Sequence, residues 1–176
     1  MEEVIFKKAD ISDLNAIEKI YDNIHDAIET GGLTVGWVRG VYPVRSTAEE
    51  AIKRGDMFVE IVGGKTVGTG IINHMQVDVY AGASWQYPAR DDEVMVLHTL
   101  VIDPAARSAG YGKAFVKFYE EYAAKSGAKY LRIDTNAKNV NARAFYKKSG
   151  FIEIAVVPCE FNGIKGVDLV LLEKRL

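Results

Sequence analysis

A single cysteine, Cys159, stands in the 176 residues. That excludes an internal disulfide framework and any multi-cysteine metal site, and Cys159 itself reads as a half-buried thiol without a role. Three histidines, at 25, 74 and 98, show no metal-ligand spacing, so no metal is expected. An excess of positive charge is also missing. With 22 basic and 24 acidic residues the formal charge is -2, which leaves no field to attract a nucleic-acid backbone. No apolar run reaches the roughly 20 residues that a membrane-spanning helix needs. The opening MEEVIFKKAD has neither the basic n-region nor the apolar core of a secretory signal, so a cytoplasmic-type protein without a membrane partner is expected. Repeats and low-complexity segments are absent. What is present is apolar: 48% of the residues, enough to bury the core of one domain spanning residues 1–176.

The apolar periodicities divide the chain into short elements. VIFKKA (4–9) reads as a strand. Leu14, Ile17, Tyr21, Ile24 and Ile28 then fall on one face of a helix, with Ser12 as N-cap and Gly31–Gly32 as the stop. STAEEAIKRG suits a shorter helix with a Ser46/Glu49 capping box, closed by Gly55. MFVEIV, Gly63–Gly64 and KTVGTGIIN make a hairpin. EVMVLHTLVI, apolar on both faces, reads as a central strand. A helix from about Gly110 to Lys125, the strand KYLRIDT, the helix NVNARAFYKKSG and the strands FIEIAVV and VDLVLLEK complete the chain. The predicted order is β-α-α-β-β-β-α-β-α-β-β. It implies an α/β (α+β) fold with one mixed, mostly antiparallel sheet of about seven strands and helices on both faces. Segments 31–45, 74–92 and 158–166 read as loops longer than connection requires, where specificity normally resides.

The segment VIDPAARSAGYGKAF (101–115) joins a strand to a helix through Gly110 and Gly112, a setting in which backbone amides approach a phosphate. The P-loop pattern fails, because Gly112-Lys113 is followed by Ala114 and position 107 is not glycine. The dinucleotide pattern G-x-G-x-x-G fails at its third glycine, which is Phe115. The pattern [RQ]-x-x-G-x-[GA] is met at every position by Arg107-Ser108-Ala109-Gly110-Tyr111-Gly112. About thirty residues on, NVNARAFYKKSGF fits N-x-x-A-x-x-[LF]-Y-x-x-x-G-F through Asn139, Ala142, Phe145, Tyr146, Gly150 and Phe151. Both patterns, in this order, resemble the GNAT superfamily of N-acetyltransferases, and the predicted order of elements agrees over nearly the whole chain.

The resemblance implies a fold, a co-substrate and a reaction. Acetyl-CoA would set its pyrophosphate on the loop Arg107, Ser108, Ala109, Gly110, Tyr111, Gly112 and Lys113. Its pantetheine arm would run along the backbone of Leu100, Val101 and Ile102, with a hydrogen bond from Asn139. Position 109 is often basic in that family; Ala109 leaves the charge to Arg107 and Lys113. Family resemblance gives Tyr146 the protonation of the departing thiolate, a task that suits a phenol of pKa about 10. The oxyanion would rest on a backbone N–H near Leu100 or Val101.

The base is open between His98, Glu93 and Asp134. His98 matches a histidine that removes protons in arylalkylamine N-acetyltransferases. Alternation puts it with Val94, Val96, Leu100 and Ile102 on one strand face, where a core histidine is the other reading. Asp134 has a structural alternative too, paired with Arg132, Arg143 or a loop amide. Trp37, Tyr42, Tyr80, Trp85 and Tyr87, with Asp78, Asp91, Asp92 and Glu93, would make an aromatic, acidic pocket for a cationic amine, or else anchor the loops. A small or amino-acid-like amine is the expected acceptor. A protein N-terminus or lysine is the alternative, and a catalytically silent acyl-CoA sensor belongs to a different class. Homodimers occur in the family, but no interface is legible here.

Overall fold

The computed structural model describes residues 2–176. Its eleven main elements follow the predicted order: β1 (Val4–Lys8), α1 (Leu14–Glu29), α2 (Arg45–Arg54), β2 (Met57–Val62), β3 (Lys65–Asn73), β4 (Val94–Ile102), α3 (Tyr111–Lys125), β5 (Tyr130–Asn136), α4 (Val140–Lys148), β6 (Ile152–Phe161) and β7 (Ile164–Arg175). They form one seven-stranded sheet in the order β1-β2-β3-β4-β5-β7-β6. Only β4 and β5 pair in parallel.

Local chemistry explains the boundaries, with corrections to the predicted caps. The start of α1 is set by two aspartates rather than by Ser12. The Asp10 carboxylate accepts the Ser12 N–H, and Asp13 accepts the Asp10 N–H at 2.9 Å. At α2 the helix opens one residue before Ser46, and Thr47 Oγ1 accepts the Val44 N–H at 3.1 Å. Gly55, at φ 76°, closes it as expected. The hairpin turn Gly63–Gly64 has both residues at positive φ, the hand that suits a two-residue turn between twisted strands. Asn162–Gly163 repeats that geometry. Segment 158–166 is therefore no long loop but the tip of the β6–β7 hairpin, in which Cys159 is partly buried.

Helices α3 and α4 cover one face of the sheet, where Phe115, Tyr119 and Tyr146 pack on Phe58, Leu97, Leu131 and Val170. Helices α1 and α2 cover the first half of the opposite face. The second half is covered by segment 74–92, whose Tyr80 packs on Val96 and Leu169. No described helix is long and apolar enough to cross a membrane.

One buried group runs against this packing. Glu60 on β2 is 0% exposed, and neither carboxylate oxygen has a hydrogen-bond partner. Gly68 makes room for it, since a Cβ there would lie 2.9 Å from Glu60 Oε2. Burial pushes the carboxyl up to about 7. The folded state therefore holds a proton that the unfolded chain releases near pH 4.5, and stability is lost as the pH rises from there through 7. Glu60→Gln removes that dependence. Its unfolding free energy should exceed that of the parent by about 1–3 kcal/mol more at pH 8 than at pH 4. Urea melts at the two pH values check this, and parallel behaviour of the two proteins would contradict it.

Candidate active site

β4 and β5 part company along their length. They pair only at Val94↔Tyr130, Met95↔Leu131 and Val96↔Arg132, after which β5 continues beside β7 as far as Asn136. At the point of parting the buried Tyr119 hydroxyl donates to the Met95 carbonyl at 2.7 Å, with the Arg132 carbonyl 3.3 Å away. A β-bulge adds to the divergence. Thr69 faces Val101 and Ile71 faces His98, so Gly70 alone spans Thr99 and Leu100. Thr99 takes a φ of 51°, a strained value for a β-branched residue, and its hydroxyl is hydrogen-bonded to Tyr42. The extra residue breaks the expected alternation: His98 and Val101 share one face, while Leu100 packs with the cluster on the other.

The gap between the strands is a cavity of about 650 Å³. Residues 97–102 form one wall and Asp134, Thr135 and Asn136 the other, with the start of α3 at one end. All the residues predicted to contact the co-substrate line it except Ala109. The start of α3 has no side-chain cap, because Gly110 occupies that position. Its first amide N–H groups therefore point outward without intrahelical partners. Ser108 at φ 68° and Gly110 at 87° put left-handed residues in the preceding backbone, a conformation that recurs in anion-binding loops. Gly110 needs its backbone freedom. Gly112 does not, and a Cβ there would meet Phe145 and Ile102 at 3.6–3.7 Å, an ordinary contact. Arg107 and Lys113 stand at this end and form no ion pair among the described residues. Asn139 caps α4 with Oδ1, which accepts the Ala142 N–H at 3.1 Å, and its Nδ2 is left for other partners.

Tyr146 sits on α4, facing the cavity, and burial raises its phenol above the ordinary value. His98 lines this cavity and also a second one of about 650 Å³, and Tyr42, Val77, Phe161 and Asn162 are likewise shared by both. Its tautomer is set by a chain of hydrogen bonds. Asn73 Oδ1 accepts the Met75 N–H, so it also accepts from His98 Nε2, at 2.9 Å; Asn73 Nδ2 donates to Asp56, which Arg54 holds. Nδ1 thus carries the lone pair. Burial holds the imidazole down to about 4.

Asp134 projects from the opposite wall and accepts the Tyr80 hydroxyl at 2.7 Å. It pairs with none of Arg132, Arg143 or a loop amide. Burial pushes it up to about 6, against the pull of Tyr80. Glu93 is not brought to the cavity. It lies at the far end of β4, where Lys129 at 2.7 Å and the Arg90 N–H hold its carboxylate below the usual range.

The loop aromatics divide. Trp37 and Tyr42 line the cavity, whereas Tyr80, Trp85 and Tyr87 anchor segment 74–92. Trp85 Nε1 donates to the Tyr80 carbonyl at 2.9 Å, and Tyr87 stacks on Tyr130. The anchor beneath them is Arg132, directly opposite Glu173 on β7. Its guanidinium lies 3.9 Å from the Trp85 ring centroid and donates to Gln76 and to the Tyr87 carbonyl, while buried Glu173 accepts the Gln86 N–H. Of the four predicted pocket acids, Asp78 lines the second cavity, and Asp91, Asp92 and Glu93 line neither of the two.

Residues 21–151 match the model of the acetyltransferase (GNAT) family, and the chain belongs to that family. An N-acetyltransferase of Methanocaldococcus jannaschii, itself uncharacterised, is 33% identical over 100 residues, which is 57% of this chain and 40% of that protein. The chain thus spans well under half the length of that relative. A GNAT-family acetyltransferase from Streptococcus agalactiae has the same fold at TM-score 0.80 and 20% identity, covering 98% of this chain and 95% of that one. A Salmonella typhimurium structure, described as containing its cofactor acetyl-CoA, aligns at TM-score 0.68 and 15% identity over 98% and 94% of the two chains.

Loss of the Arg132 guanidinium removes its hydrogen bonds to Gln76 and the Tyr87 carbonyl and its contact with the Trp85 ring. Arg132→Met is expected to cost about 1–3 kcal/mol, with segment 74–92 becoming the first site of proteolytic cleavage. Denaturant melts and mass-mapped limited proteolysis check this; a parent-like cleavage pattern would contradict it.

Proposed function

We propose that this protein is an acetyl-CoA-dependent N-acetyltransferase acting on the primary amine of a small or amino-acid-like acceptor. The observation that carries the reading is the parting of β4 from β5, which opens a cavity running to the uncapped start of α3. The fit is supported by Gly112. A Cβ there would meet Phe145 and Ile102 only at ordinary contact distance, so the fold itself does not require glycine at this position.

Bound there, acetyl-CoA would supply an acyl group activated as a thioester. The N–H groups of the 108–113 loop would hold the pyrophosphate, with charge from Arg107 and Lys113. The backbone of Leu100, Val101 and Ile102 and the Asn139 Nδ2 would hold the arm. The bulge removes Leu100 from regular pairing with β3, and its N–H would receive negative charge developing on the carbonyl oxygen. Tyr146, kept protonated by burial, would hand its proton to the departing sulfur. The acceptor would enter through the second cavity, which meets the first at His98, Tyr42 and Phe161. Segments 31–45 and 74–92 and the β6–β7 tip crowd that junction, which favours a small acceptor over a protein chain.

Tyr146→Phe should keep the stabilisation that acetyl-CoA gives the parent in a thermal melt while lowering turnover by about 10²–10⁴-fold. Release of free thiol from acetyl-CoA with a panel of primary amines measures the second quantity. A variant as active as the parent would remove Tyr146 from the reaction, and no thiol release from the parent with any amine would favour an acyl-CoA sensor.

A further inference from the structure

Seven titratable side chains line the cavity between β4 and β5: Tyr42, His98, Arg107, Tyr111, Lys113, Asp134 and Tyr146. The transferase reading, on which the assignment of a base rests, requires a proton to be taken from the amine. Of these side-chain types, an imidazole and a carboxylate are the ones that ordinarily accept a proton in the neutral range. His98 and Asp134 are left, and the same surroundings act on them in opposite directions. Burial penalises whichever form is charged, so it makes the imidazole a weaker base and the carboxylate a stronger one. His98 is held at about 4 and Asp134 at about 6. Protonating His98 would create an imidazolium in a site that disfavours it, whereas protonating Asp134 removes a charge from such a site.

Geometry agrees. One Asp134 oxygen is held by Tyr80, which is itself fixed by Trp85 through a ring contact of 5.1 Å and the Trp85 Nε1 hydrogen bond to its carbonyl. No cation lies within ion-pairing distance of Asp134 among the described residues, in contrast to Glu93 and Glu153. The groups that feel its charge are Tyr42 from segment 31–45, Tyr80 from segment 74–92, Tyr146 from α4 and Cys159 from β6. His98 faces it from the β4 wall, and Arg132 stands two residues back on its own strand.

We propose that Asp134, steered by Tyr80, is the group that accepts the proton from the acceptor amine, and that His98 stays neutral throughout. As the nitrogen of a neutral amine forms its bond to the acyl carbon, the carbon–sulfur bond breaks. One N–H proton passes to Asp134 and the Tyr146 proton passes to the departing sulfur. Return of a proton from Asp134 to the Tyr146 phenolate restores both groups, so nothing else is consumed.

The test combines a titration with kinetics. ¹³C NMR of the aspartate carboxyl carbons should show one resonance, absent from Asp134→Asn, that titrates near pH 6 in the parent. It should move to higher pH in Tyr80→Phe, because the hydroxyl that favours the ionised form has gone. Turnover is followed as thiol release from acetyl-CoA with benzylamine, 1,4-diaminobutane or alanine, whichever is fastest. Solvent water, whose attack needs the same proton acceptor, serves where no amine is faster. Asp134→Asn should lose at least 100-fold in kcat/KM while keeping the acetyl-CoA shift in melting temperature. His98→Gln should lose less than 10-fold and retain the acidic limb near pH 6. Should Asp134→Asn not fold, the Tyr80→Phe variant carries the test, since the acidic limb of its kcat/KM must move upward with the NMR midpoint. The proposal is overturned if Asp134→Asn stays within a few-fold of the parent, or if the limb disappears with His98 instead. A parent that shows no melting shift with acetyl-CoA would reject the transferase reading itself, a separate failure.

Discussion

The main cavity of this molecule depends on two parallel strands that stop pairing. A parallel ladder abandoned halfway exposes backbone groups that must be satisfied, and a buried, unpaired carbonyl costs about 1–3 kcal/mol. The Tyr119 hydroxyl stands at the fork and serves the carbonyls on both sides. On the far side of β4 the bulge opposite Gly70 turns Thr99 and Leu100 out of register, and Tyr42 holds the strained Thr99 from above. The cavity is thus maintained from both faces of the sheet. At its open end the start of α3 has Gly110 in place of a capping side chain, which leaves the amides at Tyr111–Lys113 available to a ligand.

Burial then differentiates the side chains around that gap. The phenols of Tyr42 and Tyr146 are pushed upward and stay protonated, Tyr42 to about 12. The imidazole of His98 goes down, and the carboxyl of Asp134 goes up. One low-polarity environment therefore shifts the two phenols and the carboxyl upward and the imidazole downward.

Much of this was legible in the sequence, for physical reasons. Gly110 and Gly112 between an apolar run and a helix, with Asn139 and Tyr146 at their spacing, can be read because backbone clearance and helix periodicity are local properties. What escaped depends on partners distant in sequence. The Asp10/Asp13 caps compete with Ser12 only once the short turn before α1 is seen. The bulge that breaks the alternation around His98 comes from Gly70 on a neighbouring strand. Arg132 and Glu173 meet only through the β5–β7 register, which is why Tyr80, Trp85 and Tyr87 looked equally suited to a pocket and to an anchor. The β6–β7 turn carries a local signal of its own, since Asn162-Gly163 between alternating apolar residues is a strong hairpin pattern.

The most direct test of the central claim is a calorimetric titration of acetyl-CoA into the parent and into Gly112→Ala. In the free protein the added methyl group meets only ordinary contacts, and alanine in place of a helical glycine stabilises by about 0.5–1 kcal/mol. If the gap between β4 and β5 holds the co-substrate, the variant should melt no lower than the parent yet bind acetyl-CoA at least 10-fold more weakly. Equal affinities in the two proteins, or no binding to the parent, would contradict the account.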